Sequence, residues 1–325
     1  MPDVCTLVRR VCFRRHKDLV GRVVEISSEP RHVGIRRGLL TVSDGSSELG
    51  TVDLDGVLAI LITSRGATLT TPLISEASSR NIPIITCNER FQPVSVSLPL
   101  IQHNDQTRRF EAQSVAKKGL KNKLWKQIVA SKVRNQSDLL SLVNASGAER
   151  LKRLAGIVRP GDLENIEAQA AQVYWTELFG KSFRRDRNQA GINSFLNYGY
   201  AVLRSSMTGA VLASGLHPTL GLFHKNKNNP LCLVDDLMEP YRPLVDQVVL
   251  RIHEKGHEDL NQEVKRALAG VVTADQVIVG STSPLFKHMH KLSFAVSELF
   301  IGQVASLSFP NLLSELEVEA LVREC

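Results

Sequence analysis

The chain has 325 residues, of which 43% are hydrophobic and 22% charged, as expected for a globular protein with a sizeable core. No segment approaches the roughly 20 apolar residues of a membrane-spanning helix, and the run GVLAILI at 56–62 is far too short, so we expect no membrane span. The formal net charge of +7 favours attraction to polyanions, although many proteins of such charge bind no nucleic acid.

The five cysteines form no CxxC pair and are odd in number. This pattern argues against a zinc site built on cysteine and is typical of free thiols in a reducing compartment.

The first residues are basic, and their arginines interrupt every apolar stretch. No signal-peptide core or small-residue cleavage site follows them. We interpret 1–19 as a basic N-terminal extension, either a flexible arm or residues upstream of the true start. A mitochondrial presequence is a less favoured alternative.

Residues 20–102 predict a small β-rich domain. Segments rich in Val, Ile and Thr indicate strands, separated by turn clusters at 43–47 and 53–56. The predicted strands are 22–26, 31–35, 38–43, 56–62 and 82–87. A helix is predicted over 71–80, because its proline suits a first helical turn.

Residues 103–325 predict a larger, mostly α-helical domain, so the expected fold class is α+β. Apolar residues recur at spacings of three and four from Leu120 to Val129. Further helical patterns cover 162–180, 191–214, 243–256, 258–268 and 290–304.

The first candidate site residue is Glu167. On a helix, Glu167, Ala170, Ala171 and Tyr174 form one stripe that should face inward. A buried carboxylate is costly unless it is paired or bound to metal. Two interpretations stay open: a metal ligand, or the partner of a buried arginine such as Arg204.

The other candidates lie between residues 224 and 239. His224 stands in a basic, amide-rich loop with Lys225 and Lys227, which suits a phosphate site; a solvated loop histidine is the alternative. Asp236 and Glu239 are three residues apart and project to one side of a helical turn, where they could also be simple caps.

Together, Glu167, His224, Asp236 and Glu239 offer oxygen and nitrogen donors of the kind that hold Mg²⁺ or Mn²⁺. A carboxylate-held metal on a basic chain suggests phosphodiester chemistry on nucleic acid.

Two histidine patterns are interpreted as structural. HEKGH at 253–257 matches a zinc-peptidase motif, but Gly256 suits the end of a helix and no convincing third ligand follows. HMH at 288–290 is interpreted as a surface feature at a helix start.

A basic stretch with one tryptophan, residues 117–134, predicts a helix whose lysines cover a broad exposed face. Lys121, Lys126 and Lys132 belong to this face. It could lie on a DNA backbone or be an ordinary solvated face. The segment 183–188 adds a second cationic loop.

The sequence resembles the CRISPR adaptation integrase family, the universal CRISPR-associated metal-dependent DNA endonuclease. Its details look most like the form found in type II systems, and within these most like type II-C. The resemblance runs from Arg22 to Ala305. It is carried by VVEISSEPRHVGIRRGLLTV, ITSRGATLTTPLISEASSRNIPIITCN, KNKLWKQIVASKVRNQ, IEAQAAQVYW, GINSFLNYGYAVLRSSMTGAVLASGLHPTLGLFH and LVDDLMEPYRPLVD.

The resemblance implies a β-rich dimerisation domain and an α-helical catalytic domain. The family's metal positions fall on Glu167, His224 and Glu239, with Asp236 as the neighbouring acid. The family commonly has glycine after the glutamate, and Ala168 is a mild departure. The basic extension is not part of the pattern.

The resemblance also implies an activity and partners. The enzyme would insert short foreign DNA segments into a CRISPR array by attack of a 3′-hydroxyl on a repeat phosphodiester, using Mg²⁺ or Mn²⁺. Lys121, Lys126, Arg204, Lys225 and Lys227 are the candidate DNA contacts. Partners would be double-stranded prespacer and repeat DNA, a second copy of the chain, and a small ferredoxin-like companion protein.

We expect such a protein in the bacterial cytoplasm. Three alternatives stay open: a branched-DNA repair nuclease, a non-catalytic DNA-binding scaffold whose acids form structural ion pairs, and a zinc peptidase acting through His253 and His257.

Overall fold

The computed structural model describes residues 22–27, 31–88, 93–97, 99–100, 104–278, 281–323 and 325. The predicted basic extension, with Cys5 and Cys12, lies outside them. The chain divides into two compact units between residues 102 and 103. The first is rich in strands and the second is mostly helical, which confirms the expected α+β class. The dimerisation role of the first unit stays a prediction.

The β-rich unit contains two four-stranded sheets. Its elements are β1 (Arg22–Ile26), β2 (His32–Arg36), β3 (Leu39–Ser43), β4 (Glu48–Asp53), β5 (Val57–Ile62), β6 (Thr68–Leu69), α1 (Thr71–Ser79), β7 (Ile84–Cys87) and β8 (Pro93–Ser97). One sheet has the order β1-β5-β7-β8, with β8 antiparallel to β7 and the other pairs parallel. The other has the order β4-β3-β2-β6, with only β2 and β6 parallel.

The run that contains β5 is continuously apolar because this strand lies inside the sheet, between β1 and β7. Ile60 pairs with Val24 on one side and Ile84 on the other. Helix α1 buries Leu73 in the same core, and its first turn is capped by the Thr70 hydroxyl. All five predicted strands and this helix are present.

The larger unit contains ten helices and one two-stranded ribbon among its described residues. They are α2 (Gln106–Ser114), α3 (Lys118–Leu142), α4 (Ala148–Ile157), α5 (Ile166–Phe179), α6 (Ile192–Ala213), α7 (Cys232–Met238), α8 (Arg242–Glu254), α9 (Gln262–Gly270), β9 (Asp275–Ile278), β10 (Ser281–Pro284), α10 (Leu285–Phe300) and α11 (Glu315–Val322). A 3₁₀ turn, Glu239–Tyr241, joins α7 to α8, and another, Val271–Thr273, follows α9.

Helix α6 is the centre of this unit and contacts α7, α8, α9 and α10. Most of its residues are buried, in keeping with a sequence that is apolar on nearly every face. At Gly199 a Cβ atom would lie 2.5 Å from Val245 Cγ1, so α6 and α8 can approach this closely only at a glycine. Among the described residues, no helix has both the length and the apolar character needed to cross a membrane.

Residues 303–314 form no regular structure, but buried amides hold this segment. Asn135 Nδ2 on α3 donates to the Pro310 carbonyl at 3.0 Å and to the Pro240 carbonyl at 3.0 Å. Gln247 on α8 makes two hydrogen bonds with the backbone of Leu313, each 3.0 Å long. The segment is therefore held by α3 and α8, and both of these helices contact the turn that contains Glu239.

Two expectations about histidines have different outcomes. Helix α8 ends at Glu254 and Gly256 has a φ of +81°, so HEKGH spans a helix end as predicted. The HMH expectation is wrong: α10 begins at Leu285, and His288 is buried, with its Nε2 3.0 Å from Ser283 Oγ. The strand β10 leads directly into α10, which places HMH inside the helix.

Candidate functional site

Lys132 on α3 bridges two carboxylates that come from different elements. Its Nζ lies 2.6 Å from Glu167 Oε1 on α5 and 2.5 Å from Glu239 Oε2 in the 3₁₀ turn. The lysine and Glu239 are nearly inaccessible, with 11% and 6% of their side chains exposed, while Glu167 is 21% exposed. Two acids that are distant in sequence therefore lie within reach of one small cation.

Arg242 fixes the other side of Glu239. Its Nε donates to Glu239 Oε1 at 2.8 Å, and its guanidinium carbon lies 4.6 Å from the centre of the Tyr200 ring. Burial acts most strongly on Glu239 and opposes its ionisation, but the charges of Arg242 and Lys132 outweigh it and hold the pKa of Glu239 below its usual value. Glu239 is therefore ionised at neutral pH.

Glu167 takes its position from the start of α5. Asp162 accepts hydrogen bonds from the backbone of Ile166 at 2.8 Å and of Glu167 at 3.0 Å. The side chain of Asp162 thus satisfies two amides of the first helical turn that have no partner within the helix. This contact places Glu167 in the first turn, facing Lys132.

His224 is held by Asp236, whose side chain has no exposed surface. The His224 Nδ1 lies 2.6 Å from Asp236 Oδ1, and the backbone amides of Leu222 and Phe223 donate to Asp236 Oδ2 at 2.6 and 3.0 Å. The hydrogen bond to Asp236 is the main cause that raises the pKa of His224, and Glu239 and Glu167 also raise it. All three acids therefore act on the same imidazole.

Two aromatic rings fix the plane of this imidazole. Trp125 and Phe223 are stacked with centroids 4.6 Å apart, and each meets the His224 ring edge-on at 5.6 Å. Because Asp236 engages Nδ1, the Nε2 atom is the ring nitrogen that remains for a ligand.

The arginine that was expected as an alternative partner of Glu167 lies elsewhere. Arg204 Nε lies 2.6 Å from Asp235 Oδ1, and its NH2 group donates to Asp235 Oδ2 and to Asn229, each at 2.8 Å. Glu167 is indeed in an ion pair, but the partner is Lys132. The expectation about Arg204 as that partner is wrong.

The predicted DNA-contacting lysines have different surroundings. Lys126, Lys225 and Lys227 are exposed, and Lys121 is half-buried. Burial lowers the pKa of Lys121, and the nearby charge of Lys225 lowers it further. Lys121 therefore lies close to Lys225, the residue that follows His224. The role of these residues and of Arg204 in DNA binding stays a prediction.

Residues 24–276 match the family described as "CRISPR associated protein Cas1". The chain belongs to the Cas1 family. A relative named "CRISPR-associated endonuclease Cas1", from Neisseria meningitidis serogroup C (strain 8013), is 40% identical over 222 residues, covering 68% of this chain and 72% of the relative. The resemblance found in the sequence is confirmed for the family, while type II-C stays a prediction.

Two solved structures share the fold of this chain. "Casposase bound to integration product" superimposes with a TM-score of 0.72 at 19% identity, covering 91% of this chain and 95% of that one. A "Cas6-RT-Cas1--Cas2 complex" gives a TM-score of 0.71 at 17% identity, covering 86% of this chain and 35% of that one. At these identities the likeness concerns the fold alone.

Two of the positions that the Cas1 resemblance assigns to the metal, Glu167 and Glu239, contact one cation, Lys132. Among the residues that the structure describes, no three His, Cys, Asp or Glu side chains are grouped closely enough to hold a metal ion. Glu167 and Glu239 instead converge on Lys132. Their oxygens and the free nitrogen of His224 fit Mg²⁺ or Mn²⁺ chemically. The set of three ligands stays a prediction.

Sequence reasoning missed the importance of Lys132, which was expected on an exposed basic face. The correction has a physical reason: Lys132 follows Ile128 and Val129 by four and three residues, so it shares their buried side of α3. That spacing was a sign that it differs from its exposed neighbour Lys126. Arg242 and Asp162 were also missed, and no motif distinguishes them from ordinary surface residues.

Proposed function

We propose that this protein is a CRISPR adaptation integrase, which inserts short foreign DNA segments into a CRISPR repeat and also acts as a DNA endonuclease. The observation that carries the proposal is the convergence of Glu167 and Glu239 beside an imidazole whose pKa both acids raise. Membership of the Cas1 family and the relative named as an endonuclease support it.

Glu167, Glu239 and the Nε2 atom of His224 would hold Mg²⁺ or Mn²⁺, with Asp236 keeping the imidazole in place through Nδ1. When bound, such an ion would neutralise charge on the phosphate oxygens and orient the attacking hydroxyl. Because Asp236 accepts from His224 Nδ1, it also selects the tautomer that leaves Nε2 with a lone pair.

The reaction is a transesterification without a covalent protein intermediate. The 3′-oxygen of the incoming DNA forms a new bond to phosphorus and loses its proton, while the bond between that phosphorus and the 3′-oxygen of the repeat breaks and the leaving oxygen is protonated. The exposed Lys225 and Lys227, with Lys121 close by, would hold the DNA phosphates in line. Hydrolysis is the same displacement with water as the nucleophile.

The partners belong to the same proposal. The chain would act as a homodimer on double-stranded prespacer and repeat DNA, in the bacterial cytoplasm, together with a small ferredoxin-like companion. A structure of the same fold is titled as a Cas1–Cas2 assembly, and another as bound to an integration product, which supports a companion protein and DNA.

The decisive experiment measures strand transfer. Purified protein, with and without its companion, is mixed with labelled short duplex DNA and a plasmid that carries the repeat, in Mg²⁺, Mn²⁺ or EDTA. We expect joining that needs metal and falls by at least about 100-fold in Glu167→Gln, Glu239→Gln and His224→Ala. Glu177→Gln, an exposed position on the same helix as Glu167, is the matched control and should retain full activity.

Other outcomes would support the alternatives. Cleavage of branched DNA without joining would indicate a repair nuclease. DNA binding that EDTA does not alter, with neither cleavage nor joining, would indicate a scaffold and would contradict the assigned roles of Glu167 and His224. Thermal melting of each variant separates loss of chemistry from loss of the fold.

A further inference from the structure

We propose that Lys132 is a resident cation of the active site that holds Glu167 and Glu239 together until a divalent metal displaces its ammonium group. This inference rests on the proposed function, because it assumes that the two carboxylates are metal ligands. The affinity of the site for metal is then set by competition with a side chain of the same protein.

The two carboxylates that face Lys132 are already neutralised without a metal. The carboxylates of Glu167 and Glu239 face the ammonium of Lys132 and the guanidinium of Arg242. In a poorly solvated site, two further positive charges would be strongly unfavourable if both cations stayed in place. Binding a divalent ion therefore requires that one of the resident cations withdraw.

The oxygens that Lys132 contacts are those a metal would use. Lys132 lies against Oε1 of Glu167 and Oε2 of Glu239, and Arg242 already occupies Oε1 of Glu239. Both oxygens of Glu239 thus face nitrogen. The Lys132 ammonium also bridges the two carboxylates, so it occupies the position from which one metal ion would contact both.

Lys132 is the cation better able to withdraw. Arg242 begins α8, and its rigid guanidinium also packs on the Tyr200 ring. Lys132 carries its charge on a flexible four-carbon stem, so its ammonium can leave while the backbone stays fixed. The backbone itself is anchored one turn later, where Asn135 donates to the Pro240 carbonyl.

An ordinary structural ion pair would give a different result. In that case Lys132 would only stabilise the fold, and its removal would leave metal affinity unchanged or lower it through disorder of the carboxylates. A competitor makes the opposite prediction, because its removal leaves two unneutralised carboxylates facing each other. Metal affinity, measured without DNA, therefore separates the two roles.

The test compares Mn²⁺ binding to wild type, Lys132→Met and Lys132→Arg by isothermal titration calorimetry, without DNA or companion. Lys126→Met, on the exposed side of α3, is the matched control. We expect Lys132→Met to bind Mn²⁺ at least about tenfold more tightly than wild type. Its melting temperature should fall in EDTA and recover in Mn²⁺, whereas Lys126→Met should behave as wild type.

Lys132→Arg keeps the charge and can engage both carboxylates with its fork of donors, so we expect weaker Mn²⁺ binding than in wild type. This variant decides the question if Lys132→Met does not fold without metal. Mn²⁺ affinity that is unchanged or weaker in folded Lys132→Met, or unchanged in Lys132→Arg, overturns the inference.

Mn²⁺ binding to Glu167→Gln distinguishes the metal-holding role of the carboxylates from the competing role of Lys132. If this substitution abolishes Mn²⁺ binding seen in wild type, the metal-holding role stands, and an unaltered Lys132→Met then overturns this inference alone. If no variant binds Mn²⁺, the inference and the metal-holding role fail together.

Discussion

Asp236 accepts hydrogen bonds from three consecutive backbone amides and from the His224 ring, although its side chain is fully buried. Such a cluster needs the backbone to curl tightly around the carboxylate. Gly221 makes this possible, since a Cβ there would lie 2.5 Å from the His224 carbonyl oxygen and 2.9 Å from Asp236 Oδ2. The position of His224 thus depends on a residue without a side chain.

Gly221→Ala should therefore lower the free energy of unfolding by about 1–3 kcal/mol, because the crowded atoms are a backbone carbonyl and a buried carboxylate. Urea unfolding measures the change. Gly156→Ala on α4, where a Cβ meets nothing within 4 Å, is the control and should cost nothing or gain up to about 1 kcal/mol. Equal stability of both variants would contradict this account.

For single residues, the sequence predicted which side of a helix a side chain occupies better than it predicted which side chain it contacts. The stripe of Glu167 with Ala170 and Tyr174 placed the acid correctly toward the interior, because helical spacing determines which side a residue takes. It assigned Arg204 as a possible partner where the structure has Lys132. Partners across helices depend on how α3 and α5 pack, and local spacing contains no information on that.

Asp246 connects three helices. It lies on α8, accepts a hydrogen bond from Tyr174 on α5 at 2.8 Å and another from Tyr200 on α6. Burial raises the pKa of Asp246 to about 6, although both tyrosines and the nearby charges of Arg242 and Arg185 lower it. The folded protein therefore binds a proton at Asp246 more tightly than the unfolded chain does.

The stability that protonated Asp246 contributes is fully present below about pH 4 and is lost as pH rises through about 6. Relative to Asp246→Asn, wild type should lose on the order of 3 kcal/mol of unfolding free energy between pH 4 and pH 7. Urea titrations across this range provide the measurement, with Asp259→Asn as an exposed control. Parallel profiles for wild type and Asp246→Asn would refute the role of Asp246.

Elements with a strong local pattern were predicted well, and those without one were missed. Strand β1 and helix α1 appear where the apolar pattern and the proline placed them. Strand β4 was missed because its polar, glycine-containing sequence lies between two turn clusters, and it exists through pairing with β3. Helix α4 was also missed, although it buries Leu151 and Ala155.

For the molecule as a whole, the formal charge of +7 predicts that the proposed DNA binding weakens as salt is added. The basic side chains of the candidate site are already paired with its carboxylates, so the attraction to DNA phosphates must come from basic residues outside it. Lys225 follows His224 in the chain, and its charge acts on Lys121, so these two lysines are the cations best placed to contribute.

Lys225→Gln should reduce the slope of log affinity against log salt by about 0.9, the value for one lost phosphate contact. Lys255→Gln is the control, because it removes the same charge about 20 Å from Arg242 along α8. Lys255 Nζ donates to the Val322 carbonyl at 2.5 Å, and its substitution should leave the slope unchanged. Fluorescence anisotropy on duplex DNA at several salt concentrations provides the comparison. Equal slopes for the two variants would contradict a phosphate contact by Lys225.

Asn135 connects two parts of the chain that leave the ribosome at different times. Its amide faces the Pro240 carbonyl on one side and the Pro310 carbonyl on the other. A nascent chain that has emerged only as far as α8 already contains Glu167, His224 and Glu239, yet this amide is still half-satisfied. The support that Asn135 gives to the turn containing Glu239 is therefore complete only after Pro310 has left the ribosome, which is late in the synthesis of the chain.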